Sequence, residues 1–562
     1  MTTTLINGSS QKPANWIPAP TDHSYEPRKI RMITVGAGFS GLMMAHKIQH
    51  EFQLEDFIDH VIYEKNSGVG GTWYENHYAG AACDVPAHMY TFSFEPNPHW
   101  SSFFAGAPEI KEYIHRTTKK YNLDKNIQFN TTLTDAQWDE ESGKWKVKLE
   151  RDGKIIEDEG EILVDATGFL NKWSWPEIEG LKDFKGHIVH TARWDDSFDY
   201  TNKRIALIGN GSSALQILPQ LAKVVGTGHL TNFIRNPTWV SATYLSQFTR
   251  DGGNFEYSEE EKKEFQENPE KHFEYRQMLE HNFNMFFYVM IKNSPGQKAC
   301  FESYTKMMQE RLKNDPLLCE KLIPKWEVGC RRLSPGEGYL EAFHKENVSG
   351  NFSPIQRITE KGIVTAADGE IEFDAIICAT GFDVSYVPRW NAIGRNGFDL
   401  AKHFSAPIPK AYMSINVEKM PNYFIFNGPN ACAGHGSLLA VMDWTAAHIA
   451  RWAKKIATED IKSVAVKTEV VDDWNVWAQE VLKTTVWSGG CKSWYKKNSE
   501  GRDNEPVTAM YPGSVLHYKE ILDTLRVEDF DVRYRGVNRF RFMGNGLTQR
   551  EKDPRDLAFY LK

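Results

Sequence analysis

Two stretches of the chain carry the same order of apolar and polar positions. "IRMITVGAGFSGLMMAHKIQHEF", from Ile30, opens with a β-branched apolar run to Val35, continues through glycines at 36, 38 and 41, and then shows apolar residues at helical spacing from Leu42. That order predicts a strand, a tight turn and a helix, with "HVIYEK" at 60–65 as the next strand. "KRIALIGNGSSALQILPQLAKVV", from Lys203, repeats the order, and "HLTNFIRNPTW" supplies the strand after it. A further apolar strand, "FDAIICATGF", ends at Thr380-Gly381 and echoes "ILVDATGF" at 162–169. Between 254 and 324 the pattern turns charged, aromatic and helix-prone, which predicts a helical insertion. Beyond 395 lie a mixed region, "YFIFNGPNACAGHGSLL", and a long helix pattern, "MDWTAAHIARWAKKI". Residues 1–28, rich in Ser, Thr, Pro and Asn, read as an arm over the body or a mobile tail. The pattern predicts an α/β fold with two Rossmann-like dinucleotide-binding domains and a helical insertion in the second.

Length and charge narrow the classes. At ~150 residues per domain, 562 residues suffice for three or four folding units. The 66 basic against 74 acidic side chains give a net charge of -8, so no general positive field recruits nucleic acid or anionic lipid. No apolar run approaches the ~20 residues that span a bilayer, and no signal-peptide core stands at the N-terminus, so a cytoplasmic protein without membrane or obligate protein partners is expected. The seven cysteines are scattered and form no CxxC pair, which reads as reduced, packed thiols with no metal site and no redox dithiol.

The two glycine turns differ by one charge. In Gly36-Ala-Gly38-Phe-Ser-Gly41 the glycines make the turn, admit a pyrophosphate to the backbone and let helix and strand pack closely; Glu64, at the end of the second strand, can accept the ribose hydroxyls. In the second turn Gly209, Gly211, Ser212 and Ser213 precede Ala214, and the matching strand end carries Arg235, whose guanidinium suits a 2'-phosphate. NADPH is therefore expected at the second turn and FAD, as hydride acceptor, at the first. Without a redox dithiol to receive the electrons, molecular oxygen is the remaining acceptor.

A stretch just before the second turn carries the family resemblance. Phe184-x-Gly186-x-x-x-His190-x-x-x-Trp194-Asp195 resembles the FxGxxxHxxxW(P/D) fingerprint of type I Baeyer-Villiger monooxygenases. Gly70-Gly71-Thr72-Trp73 through Tyr78-Ala79-Gly80 to Asp84 resembles a second stretch of that family, with Ala79 where the family has proline. "VGCRRLSPGEGYLEAF" is similar to a third, and "KSWY" at 492–495 to a late Ser-Trp-Tyr segment.

The resemblance implies roles for single residues. Arg332 would be the active-site arginine with Asp84 as its carboxylate partner; Gly71, Thr72, Trp73 and Asp84 would border FAD; Arg331 and Trp494 would touch NADPH. It implies oxygen insertion beside a ketone carbonyl, giving an ester or lactone, through an arginine-stabilised C4a-peroxyflavin. Gly186 would permit a bend, and His190 and Trp194 would anchor a moving connection or merely pack. His435, Phe169 and Leu170 read as structural at least as well as functional. Oxidation of amine or sulfide heteroatoms is the alternative reaction, and a nucleotide-sensing module without catalysis is the rival from another class. The expected division is residues 1–168 for the first part of the FAD domain with its N-terminal arm, 169–240 and 327–382 for the two parts of the NADPH domain, 241–326 for the insertion, and 383–562 for the remaining FAD domain and C-terminal region.

Overall fold

A computed structural model describes residues 12–241, 245–250 and 253–561; the first eleven residues of the expected arm lie outside them. Two five-stranded parallel sheets form the frame, from β1 (Ile30–Val35), β2 (Ile58–Tyr63), β3 (Ile127–Gln128), β4 (Ile162–Asp165), β5 (His187–His190), β6 (Arg204–Ile208), β7 (His229–Phe233), β8 (Val348–Asn351), β9 (Ala375–Cys378) and β10 (Tyr423–Ile425). The first sheet has the order β10-β4-β1-β2-β3 and the second β8-β7-β6-β9-β5. Their central strands are mostly apolar because both faces are covered: helices pack on one, and antiparallel strands pack on the other, with Leu133, Trp145 and Val147 against Ile33 and Val35 of the first sheet and Ile358 and Ile363 against Ala206 and Ile208 of the second.

The same contact closes each glycine turn. Gly36 (φ +105°) and Gly209 (φ +113°) sit where a Cβ would lie 2.6 Å from the Ala166 carbonyl oxygen and 2.5 Å from that of Ala379. Those two alanines open the repeated Ala-Thr-Gly exits, so each turn is packed against the exit of a neighbouring parallel strand. Any side chain at 36 or 209 would clash and strain the backbone together.

The helical insertion is written in its caps. Helices Glu259–Glu267, Pro269–Met285, Pro295–Arg311 and Pro316–Leu322 start behind Ser258, Asn268, Ser294 and Asp315, whose side chains accept from the backbone N–H three residues on. Proline at the first position of the last three costs no hydrogen bond there. Phe265, Leu279 and Phe283 join the core of the first unit, whereas Met308, Leu312 and Leu322 join that of the second. The insertion therefore packs against both units.

The first unit is completed from the far end of the chain. Helix Leu438–Thr458 lays Met442, Ala446, Ile449, Ala453 and Ile456 against helix Phe39–His46, the 3–4 spacing of one apolar face. Residues 22–26 of the arm follow the C-terminal segment, with Ser24 N–H donating to Leu547 O (2.7 Å) and Asn545 N–H to Asp22 O (2.8 Å). Among the described residues no helix is long and apolar enough to cross a membrane.

Two expectations need correction. The cysteines are not all thiols: Cys330 and Cys491, 161 residues apart, form a disulfide, while Cys83, Cys300, Cys319, Cys378 and Cys432 are free. Spacing along the chain could not show this, because the two segments meet only in the folded protein. The fingerprint, in turn, is not a loose connection but contains β5, an edge strand paired with β9 through Cys378 opposite His190. Gly186 is required by close approach, with a Cβ lying 2.6 Å from the Asp374 carbonyl oxygen, rather than by a bend.

Burial holds His60, His190, His435 and His448 neutral, each pushed down to about 4 from the ordinary histidine value. The unfolded chain binds these protons below its ordinary pKa of ~6.5 and the folded chain does not. Stability should be level above pH ~7 and fall as pH drops from ~6.5 toward 4, by up to ~1.4 kcal/mol per pH unit for each histidine. Denaturant midpoints measured across this range check it; midpoints unchanged down to pH 4.5 would contradict it.

Candidate active site

At the first turn, helix Phe39–His46 begins after Gly38 with no side-chain cap, leaving N–H groups at the turn. A Cβ on Gly38 would lie 3.5 Å from Gly71 Cα, and one on Gly71 would lie 3.0 Å from Gly38 Cα, so side chains here would close the gap between the turn and the Gly70-Gly71-Thr72-Trp73 loop. Glu64 is buried beside the turn, accepting from Ala37 N–H (2.7 Å) and Asn66 N–H (2.8 Å), with burial raising its pKa. Each carboxylate oxygen keeps a lone pair for a ligand hydroxyl. Thr72 begins a one-turn helix, and Trp73 Nε1–H donates to Tyr90 Oη (3.1 Å). This cradle fits a dinucleotide.

At the second turn, helix Ser212–Val224 is also uncapped behind Gly211, and a Cβ on Gly211 would meet nothing within 4 Å. Ser212 Oγ is 2.7 Å from Ser334 Oγ. Arg331, whose Nη1 donates to Pro237 O (3.4 Å), is lowered in pKa by burial first and by the nearby Arg235 second. Arg235 is exposed and pairs with no carboxylate among the described residues. Two neighbouring guanidiniums repel unless an anion lies between them. The structure thus brings together two residues 96 positions apart in an arrangement that fits a phosphate.

Between the turns, Arg332 meets Asp84. Arg332 Nη2 donates to Asp84 Oδ2 at 2.5 Å across 248 residues of sequence, with the arginine side chain 38% exposed. The loop that carries Asp84 reaches this point because it docks on the second unit. Tyr78 O–H donates to Gln216 Oε1 (2.8 Å), Gln216 Nε2–H donates to Ala82 O (3.0 Å), and a Cβ on Gly80 would strike Gln216 O. Ala79, where the resembled family has proline, packs on the apolar core of the second unit. Arg332 is placed from the other side by the short parallel pairing of Ser334–Pro335 with Val240–Ser241.

The late Ser-Trp-Tyr segment closes the group. Tyr495, buried and raised in pKa chiefly by burial, lies close enough to Arg332 for the guanidinium charge to oppose that rise. Trp494 stacks on Phe169 (centroids 5.8 Å apart, planes at 30°) directly after the Thr167-Gly168 exit. Phe169 is half-buried, and Leu170 is exposed. Cys432, near Arg332, has its thiol pushed up to about 12 by burial. His435 is buried, its Nε2 accepting from Val515 N–H (3.1 Å).

The fingerprint residues stand apart from this group. Phe184 joins a small core beneath the second sheet. His190 is wholly buried, its ring stacked on Trp173 (4.8 Å) and its Nδ1 accepting from Ala192 N–H (3.1 Å), and it faces the backbone of Gly381 at the second exit. Trp194 stacks on Tyr200 (5.4 Å), and Asp195 accepts from Ser197 N–H (2.9 Å) and O–H (2.6 Å). Tyr495, Gln216 and Ser334 carry no mark in the sequence that singles them out by itself. The first adjoins Trp494, which is a usable signal; the other two show only through tertiary contacts.

Comparisons with known proteins identify relatives among flavin monooxygenases. A family model described as "Flavin-binding monooxygenase-like" matches residues 29–250. The chain is 50% identical to the FAD-binding monooxygenase tazF of Aspergillus terreus over 96% of its own length and 95% of the relative's. It is 32% identical to a Baeyer-Villiger monooxygenase of Pseudomonas aeruginosa, covering 88% of this chain and 90% of that one. Among solved structures, cyclohexanone monooxygenase from Rhodococcus sp. Phi1 bound to NADP+ superposes with TM-score 0.77 at 24% identity, over 91% of this chain and all of the other, and shows the fold.

If Gln216 is what seats the Asp84 loop, Gln216→Ala should speed backbone hydrogen exchange over residues 78–84 by about tenfold, the loss of roughly 1 to 1.5 kcal/mol. Exchange at the parent rate would show that the loop seats itself. With this length and depth of identity to named relatives, the chain belongs to the Baeyer-Villiger monooxygenase family of FAD-dependent flavoproteins.

Proposed function

We propose that the protein inserts one oxygen atom from O2 beside the carbonyl of a ketone, giving an ester or lactone, with FAD held at the first glycine turn and NADPH at the second. The observation that carries this reading is the Arg332–Asp84 pair, formed where the two units meet with Tyr495 close by. Bound FAD and NADPH would supply flavin reduction and oxygen activation; the chain's own groups direct the oxygen to its target.

Arg332 keeps its positive charge whatever its surroundings, where an ammonium would be more easily neutralised. It favours an anionic oxygen nucleophile over a protonated one, and it offers N–H donors to the carbonyl oxygen as negative charge builds there. Asp84 accepts from one edge of the guanidinium and offsets part of its burial cost, leaving the other N–H groups for the reacting oxygens. Trp494 and Phe169 form an aromatic wall beside the arginine's segment that excludes water, which would otherwise protonate the nucleophile. Arg235 and Arg331 together supply the charge for a 2'-phosphate, so NADPH is preferred over NADH. A fixed cation of this kind disfavours the electrophilic chemistry that heteroatom oxidation requires.

A panel of cyclic and aliphatic ketones, assayed with NADPH and O2 by product mass, tests the reading. Ester or lactone products are expected; amine oxides or sulfoxides with no ester from any ketone would favour heteroatom oxidation, and NADPH binding without oxygen uptake would leave only a sensing role. Arg332→Ala should lower ester formation by about 10²–10³-fold, the usual cost of removing one oxyanion donor, while NADPH still bleaches the bound flavin. Arg235→Ala should raise KM for NADPH by at least tenfold and leave that for NADH nearly unchanged; equal loss for both cofactors would remove the phosphate-binding role.

A further inference from the structure

The Cys330–Cys491 disulfide joins the two irregular segments that carry Arg332 and Trp494. Cys330 directly precedes Arg331-Arg332, and Cys491 lies three residues before Trp494 and four before Tyr495. Both segments lack regular structure. The first runs from the end of helix Pro316–Leu322 to the short strand at Ser334, and the second from the turn Val486–Ser488 to helix Val515–Asp523. Neither is held by a strand ladder or a helix along its length, the usual means of fixing a functional group. The covalent bond supplies that support, with Tyr495 close to Arg332 further along the two segments.

The two segments touch beside the bond, and the second is braced within itself. A Cβ on Gly489 would lie 2.6 Å from Glu327 Oε2 and 3.3 Å from Cys330 Sγ, so the segments run in contact on both sides of the bond. The buried Lys496 donates to Gly489 O (2.5 Å) and lies 3.9 Å from Glu505, which accepts from Ser499 O–H (2.6 Å) and Glu500 N–H (2.9 Å). Both sulfur-bearing residues are buried, at 0% and 1% exposure, so attack by an external thiolate is obstructed once the segments have closed.

We propose that Cys330 and Cys491 are positioning residues for oxygenation, their disulfide holding the Arg332 segment against the Trp494-Tyr495 segment. This rests on the functional reading above only in what the positioning serves. Formation of the bond takes two electrons and two protons from the two thiols. A hydroperoxide such as the hydrogen peroxide released by uncoupled turnover can accept them, its O–O bond breaking to give two waters. Without the bond, the arginine loses its fixed station and more of the NADPH consumed ends as hydrogen peroxide.

Thiol labelling of denatured protein tests the bond first: five labelled cysteines are expected before reduction and seven after it. Cys330→Ser, Cys491→Ser and the double variant should then share one phenotype, since each removes the same bond. Hydrogen exchange should quicken in residues 327–333 and 489–500 in protein without ketone, and ester formed per NADPH consumed should fall by about tenfold, the scale of a small misplacement of a catalytic group. Cys319→Ser, which removes a free thiol elsewhere, should match the parent. If the serine variants do not accumulate as folded protein, Cys330→Ala with Cys491→Ala, which leaves no buried hydroxyl, takes their place in both measurements. Seven labelled cysteines without reduction would overturn the proposal, as would variants that exchange at the parent rate or keep the parent's yield of ester per NADPH. A parent that makes no ester from any ketone would instead sink the functional reading, with the labelling and exchange results still deciding whether the bond fixes these segments.

Discussion

The ion pair between Asp84 and Arg332 is the constraint on which the candidate site depends. Asp84 comes from a loop of the first unit and Arg332 from the segment that enters the second unit after the helical insertion, so the pair forms only where the two units meet. Gln216 seats the loop from one side, and the Ser334 pairing and the disulfide hold the arginine from the other. The pair therefore makes the meeting of the units part of the site's chemistry.

The two nucleotide turns are built alike and differ where their ligands differ. In each, the first glycine lies under the carbonyl of the alanine that opens an Ala-Thr-Gly exit, and the helix behind the turn starts without a side-chain cap. The third position shows how tight the packing is: a Cβ on Gly41 would lie 2.0 Å from Gly36 O, whereas the second turn accommodates Ala214. Charge then separates them, Glu64 beside the first and Arg235 with Arg331 beside the second.

Much of this was legible in the sequence because its signals are local. Alternating β-branched runs, glycine turns and helical spacing mark β1, β2, β6 and β7 and the helices after the turns, and the charged, helix-prone stretch from 254 to 324 marks the insertion. The resemblance to a family added Asp84, Arg331, Arg332 and Trp494, and the structure pairs Asp84 with Arg332, sets Arg331 near Arg235 and stacks Trp494 on Phe169. What escaped depends on contacts between distant segments. The Cys330–Cys491 bond spans 161 residues, Gln216 acts through a loop more than 130 residues away, and the role of Gly186 is set by a carbonyl at Asp374. No pattern within one segment encodes such contacts. The antiparallel strands Thr132–Asp139, Lys144–Arg151 and Lys154–Gly160 are a different case, since the alternating burial of the middle strand was present in its sequence as Trp145, Val147 and Leu149 between lysines and a glutamate.

The most direct test of the fixed cation is a crystal structure of the protein with FAD and NADP+ bound. The account predicts the Arg332 guanidinium still paired with Asp84 and facing the isoalloxazine ring, close enough for its N–H groups to reach an oxygen held over that ring at ~3 Å. A guanidinium turned into solvent and distant from the ring, with Asp84 released, would contradict it.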